Sequence, residues 1–301
     1  MDVLMALLNY RDGGLGASGY DFEPLCAAME ALPEAPAVIV ICEGNRWHYD
    51  GSAGLLGACA ALDERLGRPY VGRTGWHPSG PYGPAILWDP QVLSLRSWTG
   101  DPHETNAVHE RNTARFVRRG RPDVELEVLT RHYAFAHAPD RQRCADEDAE
   151  WADGPVPRLL AGDLNEQASG AWLPARDFSA GAPGKRRHKG VLTATGWTGA
   201  SGALDTLIGI ATEQHLRRRD GAGWRALCEV AAAAGVPAEQ AFRPTTNHAR
   251  DPLIIDWILA NPAALELLDP TGYGVVLPPP DRAFPATWPL DHRAVRALLT
   301  L

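Results

Sequence analysis

The segment AVIVICEG, Ala37 to Gly44, limits more than any other what this chain can fold into. Its run of β-branched residues reads as a strand buried on both faces, and it stops abruptly at a charge, Glu43. The same design recurs along the sequence. VLMALLN, Val3 to Asn9, is a short apolar strand that ends in an amide before the turn RDGG. PRLLAGDLNEQ is an apolar strand that ends in Asp163 and Asn165. His132 interrupts the partly alternating strand VELEVLTRHYAFA. In PLIIDWILAN, Asp256 sits among Ile254, Ile255, Trp257, Ile258 and Leu259, and in LDHRAV the pair Asp291 and His292 stands just before a final strand, HRAVRALLT.

Between these segments, FEPLCAAMEALPEA and GLLGACAALDERLGR read as helices, the first stopped by prolines and the second closed by a glycine. RQRCADEDAEWADG reads as a polar helix and 221–235 as helical. From Pro69 to Trp98 the texture shifts to short strands, YVGRT, PAILWD and QVLSLRSW, and 168–202 reads as irregular. Strands and helices interleave without a strict βαβ rhythm, and the consecutive strands in the middle should pair antiparallel. The pattern therefore predicts a mixed α/β sandwich rather than a doubly wound sheet. No GxGxxG or GxxxxGK[ST] follows a strand. No repeat or low-complexity linker divides the 301 residues, so a single domain over 1–301 is expected.

Charge and cysteine usage narrow the function. A balance of 29 basic against 37 acidic residues is not that of a protein that coats nucleic acid, which needs many phosphate-neutralising contacts. Arginine supplies nearly all the positive charge; the only two lysines, Lys185 and Lys189, both lie in KRRHK, and Arg118, Arg119 and Arg121 form a second basic run. Five cysteines without a CxxC pair argue against a disulfide framework or a zinc site. The sequence predicts no membrane span and no signal peptide, and the expected location is cytoplasmic.

Taken singly, a polar residue at a strand end is a turn former or a helix cap. Asp256 is different, because an unpaired buried carboxylate costs several kcal/mol and so requires a partner, for which a histidine ring nitrogen is the obvious choice. In their order along the chain, the segments LLNYR, VICEG, LTRHYAF, GDLN, IIDWILAN and LDHRAV resemble the endonuclease/exonuclease/phosphatase superfamily with the deoxyribonuclease-I-like fold. The resemblance spans residues 2 to 300.

The resemblance implies a four-layer α/β/β/α sandwich of two facing mixed sheets, with the site where the strand ends converge. It implies a magnesium ion, replaceable by manganese, on Glu43 with Asn9 and Asp291. Asp163 would orient or deprotonate the attacking water, Asn165 would grip a phosphate oxygen, and His292 would face the phosphate with its ring held by Asp256. His132 matches the histidine that protonates the leaving oxygen, with His137 five residues on as an alternative. Arg11 is a phosphate contact by position, and Trp76 and Trp172 are candidates for base stacking. Leu290 departs from the serine common at that place, and the loops Arg73 to Tyr82 and Gln167 to Gly202 match nothing.

The implied activity is metal-dependent hydrolysis of phosphoesters, first as a nuclease-type phosphodiesterase. A small-molecule phosphatase is the alternative, and a non-catalytic binding module on the same fold is a third reading. The implied partner is a phosphorylated substrate, either nucleic acid or a small phosphoester, with no obligate protein partner.

Overall fold

The computed structural model describes residues 2–76, 82–100, 112–180, 183–246, 252–277 and 290–301. Two mixed six-stranded sheets face each other. The chain opens the first with β1 (Asp2–Asn9), β2 (Val38–Cys42), β3 (Val71–Thr74) and β4 (Ala85–Trp88). It then builds the second from β5 (Leu93–Trp98), β6 (Thr113–Arg118), β7 (Arg121–His132), β8 (Arg158–Asp163), β9 (Arg225–Ala226) and β10 (Asp256–Ala260). It returns to the first with β11 (Leu268–Val275) and β12 (Val295–Thr300). The spatial orders are β11-β12-β1-β2-β4-β3 and β9-β10-β8-β7-β6-β5.

Period-2 alternation explains the layering. In β1, Val3, Met5 and Leu7 join the core between the sheets, whereas Leu4, Ala6 and Leu8 pack outward against α1 (Glu23–Glu30) and α2 (Ala53–Leu66). β2 divides likewise, with Val38, Val40 and Cys42 inward and Ile39 and Ile41 outward. A fully buried aliphatic side chain contributes about 1.5–3 kcal/mol, and burial of both faces makes these two strands a large share of the core. Helices flank the second sheet: α3 (Ala138–Ala149), with α4 (Pro183–Lys189) packed beside it, α5 (Gly202–Ile208) and α6 (Leu227–Ala233). The result is the four-layer α/β/β/α sandwich. Among the described residues no helix is long and apolar enough to cross a membrane.

Three expectations change. The strand β11 is not visible in the sequence because LDPTGYGV carries a proline and glycines; it lies at a sheet edge, where a missing N–H is tolerated, and its register shifts between Asp269 and Gly274. The stretch 168–202 is not irregular throughout: it contains α4 and a ribbon of Gly190–Thr193 with Gly196–Gly199. Within 221–235 only Leu227–Ala233 is helical, because Arg225 and Ala226 pair with Ala260 and Leu259 at the sheet edge.

Candidate active site

Strand register assembles the site. Parallel pairing sets His132 of β7 opposite Asp163 of β8, and antiparallel pairing sets Asp163 opposite Asp256 of β10. Three polar residues thus stand abreast on the face turned toward the first sheet. On that sheet Asn9 pairs with Cys42 and continues the inward face of Val3, Met5 and Leu7, so Asn9 and Glu43 reach the same end. Asp256 opens its strand rather than lying inside it, since Pro252 to Ile255 are not strand.

Side chains close the gap between the sheets. Asn9 Nδ2 donates to Asp163 Oδ2 at 2.9 Å and to Glu43 Oε1 at 3.2 Å. The Asp163 N–H donates to Cys42 Sγ at 3.2 Å. Glu43 sits in the left-handed region at φ 61, a conformation that costs a side chain about 1–3 kcal/mol. The N–H of Asp12, donating to Glu43 Oε2 at 3.1 Å, helps to hold it there. Asn165, also left-handed at φ 54, donates its N–H to Asp163 Oδ1 at 2.8 Å and its Nδ2 to the Tyr133 carbonyl at 3.0 Å. The glycine of GDLN has a steric reason: a Cβ on Gly162 would lie 1.9 Å from the Arg131 carbonyl oxygen.

The expected partner of Asp256 is present. His292 Nδ1 lies 2.8 Å from Asp256 Oδ2, and the Thr245 hydroxyl accepts from the Ile255 and Asp256 N–H groups at 3.1 Å. His292 Nε2 lies 4.0 Å from Asp163 Oδ2, and His132 Nε2 lies 3.9 Å from both Glu43 Oε1 and Asp163 Oδ2. Of the two histidines considered for this place, His132 is the one among the acids; His137 lines the same cavity.

Burial and charge act against each other here. Burial pushes Asp163 upward, but His292, Lys189 and His132, with the Asn9 hydrogen bond, hold its carboxyl below the usual range, so it is an anion at neutral pH. Burial disfavours the His292 imidazolium, yet Asp256, then Asp163 and Asp291, raise its pKa well above the ordinary value. Burial, with Asp163 nearby, leaves Asp256 raised.

The site offers hard oxygen ligands. Asn9 Oδ1, whose amide donates to Glu43, and Asp291 Oδ1 are buried and without a hydrogen-bond partner among the described residues. Such oxygens fit a divalent cation of the magnesium or calcium type. Asp163, Asp256 and His292 also present ligand atoms within 4.8 Å of one another and could hold a metal ion. In that second group, however, His292 and Asp256 already bond each other.

A cavity of about 1200 Å3 opens on these groups, with Arg11, Glu43, Trp76, His132, Asp163, Asn165, Asp291 and His292 on its wall. Asn9 and Asp256 lie behind that wall, as partners of Glu43, Asp163 and His292. Leu290, where a serine is common, is buried in the core between the first sheet and its helices, so packing accounts for it.

The structure corrects one expectation, locates the second basic run and adds a residue. Trp172 is not a free stacking surface: its Nε1 donates to Glu229 at 3.0 Å and the Arg218 guanidinium lies 5.4 Å over its ring. Arg118, Arg119 and Arg121 surround the start of β7, whereas His132 ends it, so this basic run is at the opposite end of the sheet. Lys189, the last residue of α4, lines the cavity and donates to Asn165 Oδ1. Its signal in the sequence is that an otherwise arginine-based chain spends both its lysines in KRRHK, shortly after GDLN. The loop 73–82 falls partly outside the described residues, as do 181–182 and the side chain of Lys185.

No protein-family model and no curated protein matches the chain. Similarity appears in three dimensions. An endonuclease/exonuclease/phosphatase family protein from Bacteroides thetaiotaomicron matches with a TM-score of 0.56 at 15% identity, covering 99% of this chain and 95% of that one. An AP endonuclease from Archaeoglobus fulgidus matches with a TM-score of 0.55 at 13% identity, covering 99% and 100%. ANGEL2, a 2',3'-cyclic phosphatase, bound to adenosine-2',3'-vanadate, matches with a TM-score of 0.54 at 15% identity, covering 100% and 96%. The chain has the fold of these proteins.

Proposed function

We propose that this chain is a divalent-metal-dependent phosphoesterase that cleaves a phosphodiester with an activated water. The observation that carries this reading is the convergence of Asn9 and Glu43 from one sheet on His132, Asp163 and the Asp256–His292 pair from the other. Structural neighbours that include an AP endonuclease and a cyclic phosphatase support it.

In this reading Glu43, Asn9 and Asp291 hold the cation, with magnesium as the expected ion. When bound, the ion would polarise the phosphoryl oxygens and offset their charge. Asp163, kept anionic by its neighbours, orients the attacking water and takes its proton. His292, an imidazolium fixed through Nδ1 by Asp256, stabilises the charge that develops on the phosphoryl group. His132 stands across the acids from His292 and protonates the leaving oxygen. Asn165 holds Asp163 in place through its N–H. Arg11 and Trp76, on the cavity wall, contact more distant parts of the substrate.

A nuclease-type substrate is the first choice, because an AP endonuclease is among the structural neighbours and Trp76 on the cavity wall could stack on a base. A small phosphoester is the second reading, favoured by the position of the Arg118 to Arg121 run at the far end of the sheet and by the packing of Trp172. Plasmid DNA, RNA and a panel of phosphorylated metabolites, each incubated with magnesium with and without a chelator, separate the two. Chelator-sensitive cleavage of a polynucleotide supports the first, and phosphate release from metabolites alone supports the second. No metal-dependent hydrolysis of any of them would refute the proposal.

A further inference from the structure

Besides the His292 imidazolium, the phosphoryl group of the substrate needs a second donor for its non-bridging oxygens, the place that the resemblance gives to Asn165. Asn165 does not fill that place well. Its Oδ1 accepts from Lys189, and its Nδ2 already donates to the Tyr133 carbonyl at 3.0 Å. Both ends of the amide are engaged within the protein.

Lys189 is engaged differently. An ammonium carries three N–H donors, and among the described residues its hydrogen-bond partner is Asn165 Oδ1, which leaves two donors for the cavity that Lys189 lines. The chain also invests in placing it. Arg141 of α3 and Glu166 form a fully buried ion pair at 2.5 Å, and Arg141 Nη1 donates to the carbonyl of His188, the neighbour of Lys189, at 3.0 Å. Glu166 Oε1 accepts from the Ala203 N–H at 2.8 Å, so the pair is tied to α5 as well. A buried pair of this kind seldom adds net stability over apolar packing, and holding a neighbouring group in one place is a better account of it.

We propose that the Lys189 ammonium is a phosphate-binding group of this site, taking a non-bridging oxygen of the scissile phosphoryl group, with Asn165 as its anchor and Arg141–Glu166 as its positioning pair. The proposal rests on the phosphoesterase reading above and adds a residue to it. Charge supports the assignment. Burial lowers the Lys189 pKa to about 8, with Arg141 and Arg176 acting in the same direction and Asp163 and Asp256 opposing, so the group stays protonated at neutral pH. An arriving phosphate would favour that form further.

Two measurements test it: hydrolysis of bis(4-nitrophenyl) phosphate with magnesium, and calorimetric binding of inorganic phosphate. Lys189→Gln can still donate to Asn165 but carries no charge, so a merely structural lysine would be replaced without loss. The expected result is a drop of about a hundredfold in kcat/KM, as for loss of one donor to a developing oxyanion. Phosphate affinity should fall at least about tenfold, the scale of a charged hydrogen bond, and Lys189→Arg should recover part of both. Should the glutamine variant fail to fold, Lys189→Met carries the same comparison with Lys189→Arg. Wild-type values of both quantities in a folded uncharged variant, or no phosphate binding by the wild type, would overturn the proposal. If the wild type binds phosphate through Lys189 yet hydrolyses nothing, the lysine assignment stands and the phosphoesterase reading falls.

Discussion

The second sheet carries charge at both ends, and the two ends treat it in opposite ways. At the β6–β7 hairpin, Arg118 donates to the Leu301 carbonyl at 2.5 Å, Arg119 to the Pro90 carbonyl at 2.7 Å, and Arg121 pairs with Asp123 at 3.1 Å in solvent. At the other end, roughly 35 Å away along the 12 residues of β7, Asn9 Oδ1, Asp256 Oδ1 and Asp291 Oδ1 are buried without a hydrogen-bond partner among the described residues. Charge density alone therefore does not locate the site. The unpartnered oxygens contributed by both sheets mark the site end, where a ligand, an ion or a bound water would restore what burial removed.

If that contrast is right, the largest effect comes from the support behind the site end. Glu166→Gln leaves the Arg141 guanidinium buried without its counter-charge, and should cost about 3–5 kcal/mol in denaturant unfolding. Next come the reacting groups. Asp163→Ala or His292→Ala should lower turnover of a phosphodiester at least about a hundredfold while the protein stays folded, the scale of acid-base groups. Folded variants with full activity would remove the distinction between the two ends. Gly162→Ala places a methyl against the Arg131 carbonyl and should destabilise by about 1–3 kcal/mol, measured by the denaturant midpoint. The smallest effect belongs to the hairpin end: Arg121→Gln should change stability by less than about 0.5 kcal/mol and leave turnover unaltered. A large loss of nucleic-acid cleavage in that variant would make the hairpin part of the substrate path.

Much of the site was legible because strand ends are legible. AVIVICEG and PRLLAGDLN announce both a buried strand and the polar residue that ends it, and the burial of Asp256 called for a partner, which is His292. What the sequence hides is lateral register. That His132, Asp163 and Asp256 stand abreast depends on which strands are neighbours, and no local pattern encodes this. Lys189 was hidden for a related reason: it lies in a polar segment that would be solvent-facing by composition, and its inward place depends on tertiary contacts, the Arg141 bond to the His188 carbonyl and its own bond to Asn165. Trp172 failed in the opposite direction, since a tryptophan in a glycine-rich stretch reads as exposed until Glu229 and Arg218 enclose it. β11 was missed because proline and glycine, which argue against a central strand, are permitted at an edge.

In the proposed function, Glu43 with Asn9 and Asp291 holds a divalent cation. Calorimetric titration of magnesium into the wild-type protein and into Glu43→Gln tests it without reference to any substrate. The account predicts saturable binding by the wild type and at least about a tenfold weaker affinity in the variant, in line with loss of a charged ligand. Equal affinity in the two proteins, or no binding by the wild type, would contradict it.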